Sequence, residues 1–119
     1  MEFDDVDMYD QLLSSSDDDL QDTTFGVVAM DVDHRVVMYN RTESKLAGLS
    51  AERVVGRHFF SEVAPCTNNY MVAHRFEAEN ELDATIDYVF TLRMKPTPVR
   101  LRLLSRPDAA RRFVLVKWS

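Results

Sequence analysis

The residue best suited to chemistry is Cys66, the single cysteine in this chain of 119 residues. It follows Pro65 in the stretch SEVAPCTNNY, which has the composition of a loop, and it precedes a predicted helix. A thiol at a helix start is favoured as the reactive thiolate by the helix dipole, whereas a thiol deep in apolar packing is inert. One cysteine makes neither an internal disulfide nor a metal cluster. Cys66 is therefore interpreted either as a reactive thiol or as a small apolar side chain packed in a loop.

Two polar residues upstream, Tyr39 and Glu43, flank the point where a predicted strand passes into a predicted helix. Asn40 is a good N-cap residue, and Glu43 stands three positions after it, as in a capping box. A glutamate in that role faces solvent. A tyrosine at a strand end is most often a core aromatic with its hydroxyl at the edge. Neither residue by itself indicates a ligand.

The first half of the chain is predicted to form two strands followed by short helices. Residues 24–40, TFGVVAMDVDHRVVMYN, contain two apolar runs around a polar turn, which is the pattern of two strands joined by a short connection. The helix that starts after Asn40 is predicted to end at Gly48, because glycine readily adopts the left-handed conformation found after a helix. A further single turn is predicted between Ser50 and Gly56.

The second half is predicted to contain one longer helix and three strands. Asn68 or Asn69 is expected to cap a helix over YMVAHRFEAENEL, which has apolar residues at helical spacing. Residues 84–94, ATIDYVFTLRM, alternate apolar and polar side chains, which predicts a half-buried strand with Phe90 and Met94 on its apolar face. VRLRLL and RFVLVKW predict two more strands. This order of elements predicts an α+β fold with an antiparallel sheet and helices gathered on one face.

Charge separates residues 1–22 from the rest of the chain. The net charge is −6, but residues 1–22 carry nine acidic residues and no basic one, so 14 basic residues face 11 acidic ones in the remainder. Coulomb attraction between the two parts is expected, weakened by salt. Apolar residues of the segment include Met8, Tyr9, Leu12 and Leu13, with Leu20 further on. They predict a short amphipathic helix that docks on the body, with a solvated disordered tail as the open alternative. The chain is accordingly divided into a cap or tail, residues 1–22, and a domain, residues 23–119.

Composition argues against several classes of protein. No apolar run is long enough to span a bilayer, and the N-terminus begins with acidic residues rather than a secretory signal, so a cytoplasmic location without a membrane partner is expected. Three glycines argue against a nucleotide-binding loop, and the three histidines show no metal-ligand spacing. The arginines of RLRLLSRPDAARR alternate with apolar residues, which indicates a solvent-facing surface rather than a nucleic-acid site.

Four stretches of the sequence, in this order and spacing, resemble the photoactive yellow protein family of PAS domains. They are YNRTE at 39–43, VVGRHFFSEVAPCT at 54–67, YVFTLRMKPTPVRL at 88–101 and FVLVKW at 113–118. The most specific part of the likeness is the loop Ala-Pro-Cys-Thr combined with the Tyr-x-x-x-Glu pair upstream. The resemblance implies a PAS-like α+β fold with a central five-stranded antiparallel sheet, helices on one face and an N-terminal cap.

The resemblance also implies a bacterial blue-light photoreceptor, a noncatalytic sensor in which p-coumaric acid is attached to Cys66 as a thioester. Tyr39 and a protonated Glu43 are implied to hydrogen-bond to the phenolate of this pigment, and Phe90 and Met94 to line its pocket. A buried anion needs donors that replace its hydration, and a carboxyl group in an apolar pocket beside another anion has its pKa raised. Release of the N-terminal segment is implied to signal to an unidentified protein, from a monomer or weak homodimer.

The sequence departs from the family pattern near the implied site. Ala47 stands where the family commonly has a threonine that supports the tyrosine and the glutamate. Leu49 stands where the family commonly has an arginine that shields the phenolate, and Leu92 replaces a family tyrosine. These departures bear on pigment loading, absorption colour and photocycle rate, and they do not affect the fold.

Two other classes of function compete with a photoreceptor. A PAS module that senses another small molecule, or dimerises without one, is favoured by the loss of the threonine and the arginine. Retention of Tyr39, Glu43 and Cys66 together argues against that module. A cysteine-nucleophile enzyme would need a base near the thiol, and the sequence places no histidine as an evident one. The chain is accordingly predicted not to be an enzyme.

Overall fold

The computed structural model describes residues 1–92 and 94–118. Its elements are α1 (Met8–Ser14), β1 (Gly26–Met30), β2 (Val36–Tyr39), α2 (Arg41–Ala47), α3 (Ala51–Val54), a π-helical turn (Phe59–Val63), a 3₁₀ turn (Pro65–Thr67), α4 (Ala73–Ala78), β3 (Leu82–Phe90), β4 (Thr97–Ser105) and β5 (Arg112–Trp118). Arg93, which the alternating pattern includes in a strand, and Ser119, the last residue of the expected domain, lie outside the described residues.

The five strands form one sheet in the order β2-β1-β5-β4-β3, and every neighbouring pair is antiparallel. The two strands that are first and last in the chain therefore lie side by side, with Gly26 of β1 opposite Val116 of β5. At the other edge β3 and β4 pair from Leu82 opposite Ser105 to Phe90 opposite Thr97. The predicted α+β fold with a five-stranded antiparallel sheet is confirmed.

Both faces of the sheet are covered, and each face has its own apolar cluster. The first, here the helix-side cluster, contains Val28, Met30, Tyr39, Val54, Phe59, Phe60, Val72, Phe76, Phe90, Leu101, Leu103, Val114 and Val116 among others. The second, the segment-side cluster, contains Phe3, Met8, Tyr9, Leu12, Leu20, Phe25, Val27, Ala29, Met38, Leu104, Phe113 and Leu115. Side chains alternate between the two faces along a strand. Because both faces are covered, all five residues of β1 are buried.

Residues 1–22 form a docked layer on the second face of the sheet. α1 buries Met8, Tyr9 and Leu12 against the sheet, while Leu13 on its outer side is 48% exposed. The amphipathic helix expected from the sequence is therefore present, and the alternative of a solvated tail is wrong. Apolar burial is the main contribution to such docking, at about 25 cal/mol per Å² of apolar surface removed from water.

Arginines of the body contact acidic residues of this segment. Arg106 pairs with Asp10 and Arg111 with Asp17, each at 2.7 Å. Arg102 was expected to face solvent, which is wrong, because the segment covers it and leaves it 6% exposed. Its guanidinium donates to the carbonyl oxygens of Phe3 and Asp5 at 2.8 and 2.7 Å, and it also pairs with Asp83 of β3 at 2.9 Å. The expected attraction between segment and body thus takes the form of specific contacts.

Two elements differ from the expected boundaries. The helix predicted after Cys66 is shorter, because α4 begins only at Ala73, and Asn69 instead accepts a hydrogen bond from the backbone of Met71 at 2.9 Å. The strand predicted to reach Met94 ends at Phe90, where its partner β4 begins, so no strand is available to pair beyond that point. The side chain of Met94 is fully exposed, contrary to the expected burial. No helix in the described part of the chain is long and apolar enough to cross a bilayer.

Candidate functional site

The junction between β2 and α2 is built around the side chain of Asn40, which is fully buried. Its Oδ1 accepts hydrogen bonds from the backbone N–H groups of Glu43 and Val27, both at 2.9 Å. Its Nδ2 donates to the carbonyl oxygen of Leu20 at 2.8 Å and to Thr23 Oγ1 at 3.0 Å. The predicted N-cap is confirmed, and the same amide joins α2 to β1 and to the end of the N-terminal segment.

The side chain of Glu43 turns into the core and is 2% exposed. It does not complete a capping box, because the backbone N–H of Asn40 donates instead to the carbonyl oxygen of Val27 at 3.0 Å. The Oε1 of Glu43 accepts a hydrogen bond from Trp118 Nε1 at 2.7 Å. Burial raises the pKa of Glu43 to about 7, and the hydrogen bond from Trp118 acts in the opposite direction. The alternative of a solvent-facing cap is therefore wrong, and this carboxyl can hold a proton near neutral pH.

Gly26, the first residue of β1, provides the space that this carboxyl group occupies. A Cβ atom at Gly26 would lie 2.0 Å from Glu43 Oε1 and 2.8 Å from Cδ, closer than nonbonded atoms approach. Any larger residue would displace the carboxyl from the sheet. An isolated glycine in a strand pattern often marks such a close approach, so the sequence does contain a signal for this contact.

Tyr39, the last residue of β2, is buried in the helix-side cluster. Burial, together with the neighbouring Glu43, raises its pKa above the usual range of a tyrosine, so the hydroxyl stays protonated. Tyr39 at the end of β2 and Glu43 in the first turn of α2 are therefore two buried oxygen groups whose protonated forms are favoured by burial.

Cys66 lies in the 3₁₀ turn and is half-buried against the same helix-side cluster. Its carbonyl oxygen accepts hydrogen bonds from Tyr88 Oη at 2.5 Å and from Asn69 Nδ2 at 3.2 Å, which attach the turn to β3. The expected position at the start of an α-helix is wrong, because α4 begins only at Ala73. Activation of this thiol by the dipole of that helix therefore has no structural basis.

The aromatic residues complete the surroundings of these groups. Phe90 is buried, and its ring centroid lies 5.4 Å from that of Trp118 and 6.3 Å from that of Tyr88, both edge to face. The structure thus brings Tyr39, Cys66 and Phe90 into one cluster, with Glu43 joined to it through Trp118. Met94 is not brought to this cluster.

The positions that depart from the family pattern also border the cluster. Ala47 is buried, and Leu49 and Leu92 are partly buried against the helix-side cluster. Within the ranges 1–92 and 94–118, no group of histidine, cysteine, aspartate and glutamate is arranged to hold a metal ion. Sequence reasoning missed Trp118, Gly26 and the contacts of Tyr88 with the cysteine turn, and of these only Gly26 carries a recognisable signal.

Comparison with known proteins identifies the family. The family model described as the PAS fold matches residues 7–116. The photoactive yellow protein of Halochromatium salexigens is 35% identical over 100 residues, which cover 82% of this chain and 80% of that protein. The chain belongs to the photoactive yellow protein family of PAS domains. The photoactive yellow protein of Rhodothalassium salexigens is 32% identical over 100 residues, with the same shares of both chains covered.

Solved structures agree with membership of the photoactive yellow protein family. The photoactive yellow protein domain of the sensor histidine kinase Ppr from Rhodospirillum centenum superposes with a TM-score of 0.81 at 34% identity, covering 91% of this chain and 97% of that one. The PAS domain of an HTR-like protein from Haloarcula marismortui has a TM-score of 0.68 at 13% identity, covering 96% of this chain and all of that one, and shares the fold alone. The predicted family is confirmed, and it is a family of sensory domains, which supports a role in photoreception and signal transduction.

Proposed function

We propose that this chain is a blue-light photoreceptor that carries p-coumaric acid as a thioester on Cys66. Tyr39 and Glu43 hydrogen-bond to the phenolate oxygen. The observation that carries the proposal is the burial of two groups, the Tyr39 side chain at the end of β2 and the Glu43 carboxyl in the first turn of α2, which are 3% and 2% exposed. Burial raises the pKa of both groups, which favours their protonated forms. A buried anion is stable only where such donors replace its hydration.

The residues present fit this cofactor. Glu43 engages Oε1 with Trp118, and burial keeps the Tyr39 hydroxyl in its protonated, hydrogen-bond-donating form. Phe90 belongs to the same helix-side cluster as Tyr39 and packs edge to face on Trp118, the partner of Glu43. When bound, p-coumaric acid would supply a double bond that isomerises in blue light and a phenolate that accepts a proton.

Glu43 is the proton source in this proposal. A carboxyl group whose pKa is about 7 is protonated in a substantial fraction of molecules at neutral pH, and a phenolate beside it raises that pKa further by like-charge repulsion. Tyr39 has a pKa well above this range, so it donates a hydrogen bond but keeps its proton. The two donors therefore have different roles, because one can transfer its proton and the other cannot.

Attachment at Cys66 can be tested with an activated form of p-coumaric acid, such as its anhydride. The thiol sulfur bonds to one carbonyl carbon of the anhydride and the thiol proton is lost. The bond from that carbon to the bridging oxygen breaks, and the other half of the anhydride leaves as p-coumarate. The expected result is a yellow product with one coumaroyl group on the peptide that contains Cys66. Cys66→Ser should give neither the colour nor the modified peptide. A product that forms equally in Cys66→Ser would contradict the attachment.

The roles of the two donors can be tested on the loaded protein. Tyr39→Phe and Glu43→Gln each change the hydrogen bonding of the phenolate, so each should shift the absorption band. Glu43→Gln cannot release a proton, so it should also slow or remove the step in which the phenolate becomes protonated. An absorption spectrum that is identical in wild type and both variants would contradict contact with the phenolate.

We also propose that the signal is release of residues 1–22. Support comes from the way the segment is held, by apolar side chains and by surface ion pairs such as Asp10 with Arg106, rather than by strand pairing. Release would expose the segment-side cluster together with Arg102, which a signalling partner could then contact. Limited proteolysis of loaded protein should cut the segment faster in blue light than in darkness. Equal rates in light and dark would contradict this output.

A second candidate is a PAS module that binds another small molecule or none. Leu49 favours it, because an apolar side chain packs against the helix-side cluster where the family commonly has an arginine. The loading experiment distinguishes the two candidates. Failure of Cys66 to form a stable thioester, in protein that is folded by circular dichroism, would favour the second.

A further inference from the structure

We propose that Trp118 is a positioning residue for Glu43, which holds Oε1 against the sheet and so makes Oε2 the oxygen that carries and donates the proton. The inference deepens the proposed function, on which its consequence for the cofactor rests. Its test does not need the cofactor, because the contact lies entirely within this chain.

The position of the carboxyl on the sheet is shown by two independent contacts of the same oxygen. Glu43 Oε1 lies where a Cβ of Gly26 would otherwise be, 2.0 Å from that point, and it accepts the indole N–H of Trp118 at 2.7 Å. Gly26 of β1 is directly opposite Val116 of β5, and Trp118 is the next residue of β5 on the same face. The carboxyl therefore sits in a gap that β1 leaves open and that the end of β5 closes.

Packing of the indole ring fixes the orientation of its N–H group. Trp118 lies opposite Val99 of β4, and its ring meets Phe90 edge to face at an interplanar angle of 72°. Because the ring is already held in place by its neighbours, the N–H has the orientation that the hydrogen bond requires before the bond forms. Little conformational entropy is therefore lost when the hydrogen bond forms.

The chemistry of indole determines which carboxyl oxygen can be protonated. Indole nitrogen is a donor only, so an oxygen that accepts its hydrogen faces a second hydrogen if it also carries the acid proton toward Trp118. The neutral form of Glu43 is thus favoured with its proton on Oε2. The bond from Trp118 also becomes stronger when Glu43 ionises, because hydrogen bonds to a charged acceptor are about twice as strong as neutral ones.

The residues packed around the Glu43 carboxyl do not themselves change charge near neutral pH. β2 contributes Tyr39, whose pKa is raised and which stays neutral, while β1 contributes Gly26 and β5 contributes Trp118, neither of which is titratable. Asn40 at the start of the helix is neutral. Burial raises the pKa of Glu43 and Trp118 lowers it, so the charge of the carboxyl changes near neutral pH and the hydrogen bond changes with it.

The first test uses the fluorescence of Trp118, the only tryptophan in the chain, in protein expressed without p-coumaric acid. Emission measured from pH 5 to pH 9 should show a transition with a midpoint near 7, because the partner of the indole gains charge. Glu43→Gln, which leaves every other titratable group in place, is the control. The transition should disappear in that variant. A flat profile in the wild type, or the same transition in Glu43→Gln, would overturn the proposal.

The second test measures the pKa of Glu43 directly, from the infrared carbonyl band of its protonated form. Trp118→Phe keeps an aromatic ring against Phe90 but removes the donor, so the pKa should rise by roughly one unit. Tyr88→Phe is the matched control, because it also removes a polar atom from an aromatic that packs on Phe90 and should leave the pKa of Glu43 unchanged. An unchanged pKa in Trp118→Phe would show that the indole only packs.

The outcomes separate this inference from the proposed function. If Cys66 does not take up the coumaroyl group while the fluorescence transition is present, the photoreceptor proposal fails and the positioning role of Trp118 remains. If loading succeeds and the pKa of Glu43 does not respond to Trp118→Phe, the positioning role fails alone. Should Trp118→Phe not fold, the fluorescence test on wild type and Glu43→Gln still decides.

Discussion

The burial of Glu43 has a measurable consequence for folding. Its pKa rises from an ordinary value of 4.5 to about 7, so the folded state binds this proton more tightly than the unfolded state does. Below pH 4.5 both states are protonated, and the stabilisation from this proton is fully present. Between pH 4.5 and about 7 the unfolded state loses its proton first, so the free energy of unfolding falls as the pH rises. Above about pH 7 the stabilisation from this proton is no longer present.

The size of the effect follows from that interval. The difference between 4.5 and about 7, at 1.36 kcal/mol per pKa unit, corresponds to roughly 3 kcal/mol. Little of it is removed by solvent screening, because the side chain is 2% exposed. Glu43→Gln keeps an oxygen acceptor for Trp118 and cannot ionise. Its stability relative to wild type should therefore improve by about 3 kcal/mol between pH 4.5 and pH 8, a large share of the roughly 5–15 kcal/mol of a typical domain.

Urea unfolding of both proteins at several pH values between 4.5 and 8 measures this difference. The midpoint should change while the dependence on urea concentration stays constant, as expected for a change in stability alone. Other titratable groups, such as His34, whose pKa is lowered by burial, are present in both proteins and cancel in the comparison. A difference in stability between wild type and variant that stays constant across the pH range would refute the assignment of a raised pKa to Glu43.

Three further substitutions test the packing around the site and the segment. Gly26→Ala should lower the free energy of unfolding by about 1–3 kcal/mol through its clash with Glu43. This loss of stability should be smaller in a protein that also carries Glu43→Ala. Equal losses with Glu43 and with Ala at position 43 would exclude the clash. Arg102→Met should cost about 1–3 kcal/mol and speed proteolysis of the N-terminal segment, and unchanged cleavage would show that this arginine does not hold it. Leu12→Ala should cost about 2–5 kcal/mol in urea unfolding, against less than about 0.5 for Leu13→Ala, whereas similar costs would mean that α1 is not docked as described.

Much of the fold could be predicted from local patterns. Asn40 and Gly48 mark the ends of α2 because capping depends on the residue itself and its immediate neighbours. The alternation before Phe90 identified a half-buried strand for the same reason. Its end could not be predicted, since a strand stops where its partner stops, and the start of β4 is not visible in the residues of β3. The late start of α4 likewise depends on contacts of Asn69 with Tyr88 and with the cysteine turn.

In the candidate site too, some residues could be predicted from the sequence and others depended on tertiary contacts. The resemblance selected Tyr39, Glu43, Cys66, Phe90 and Met94, and the strand pattern also placed Met94 on the apolar face. The structure places the first four around the helix-side cluster, whereas Met94 is exposed. A pattern of alternation assumes that the strand continues. Where the chain leaves the sheet, the alternation no longer says which side chains face the core.

The sequence by itself determined the order of strands and helices, the N-cap at Asn40 and the charge imbalance that favours docking of residues 1–22. Only the tertiary structure decided that Glu43 is a buried acid rather than half of a capping box. That decision required a gap at Gly26 in β1 and a donor at Trp118 in β5, both far from Glu43 along the chain. The pKa of a carboxyl group depends on its solvent and its neighbours in space, and these exist only once the first and last strands lie side by side.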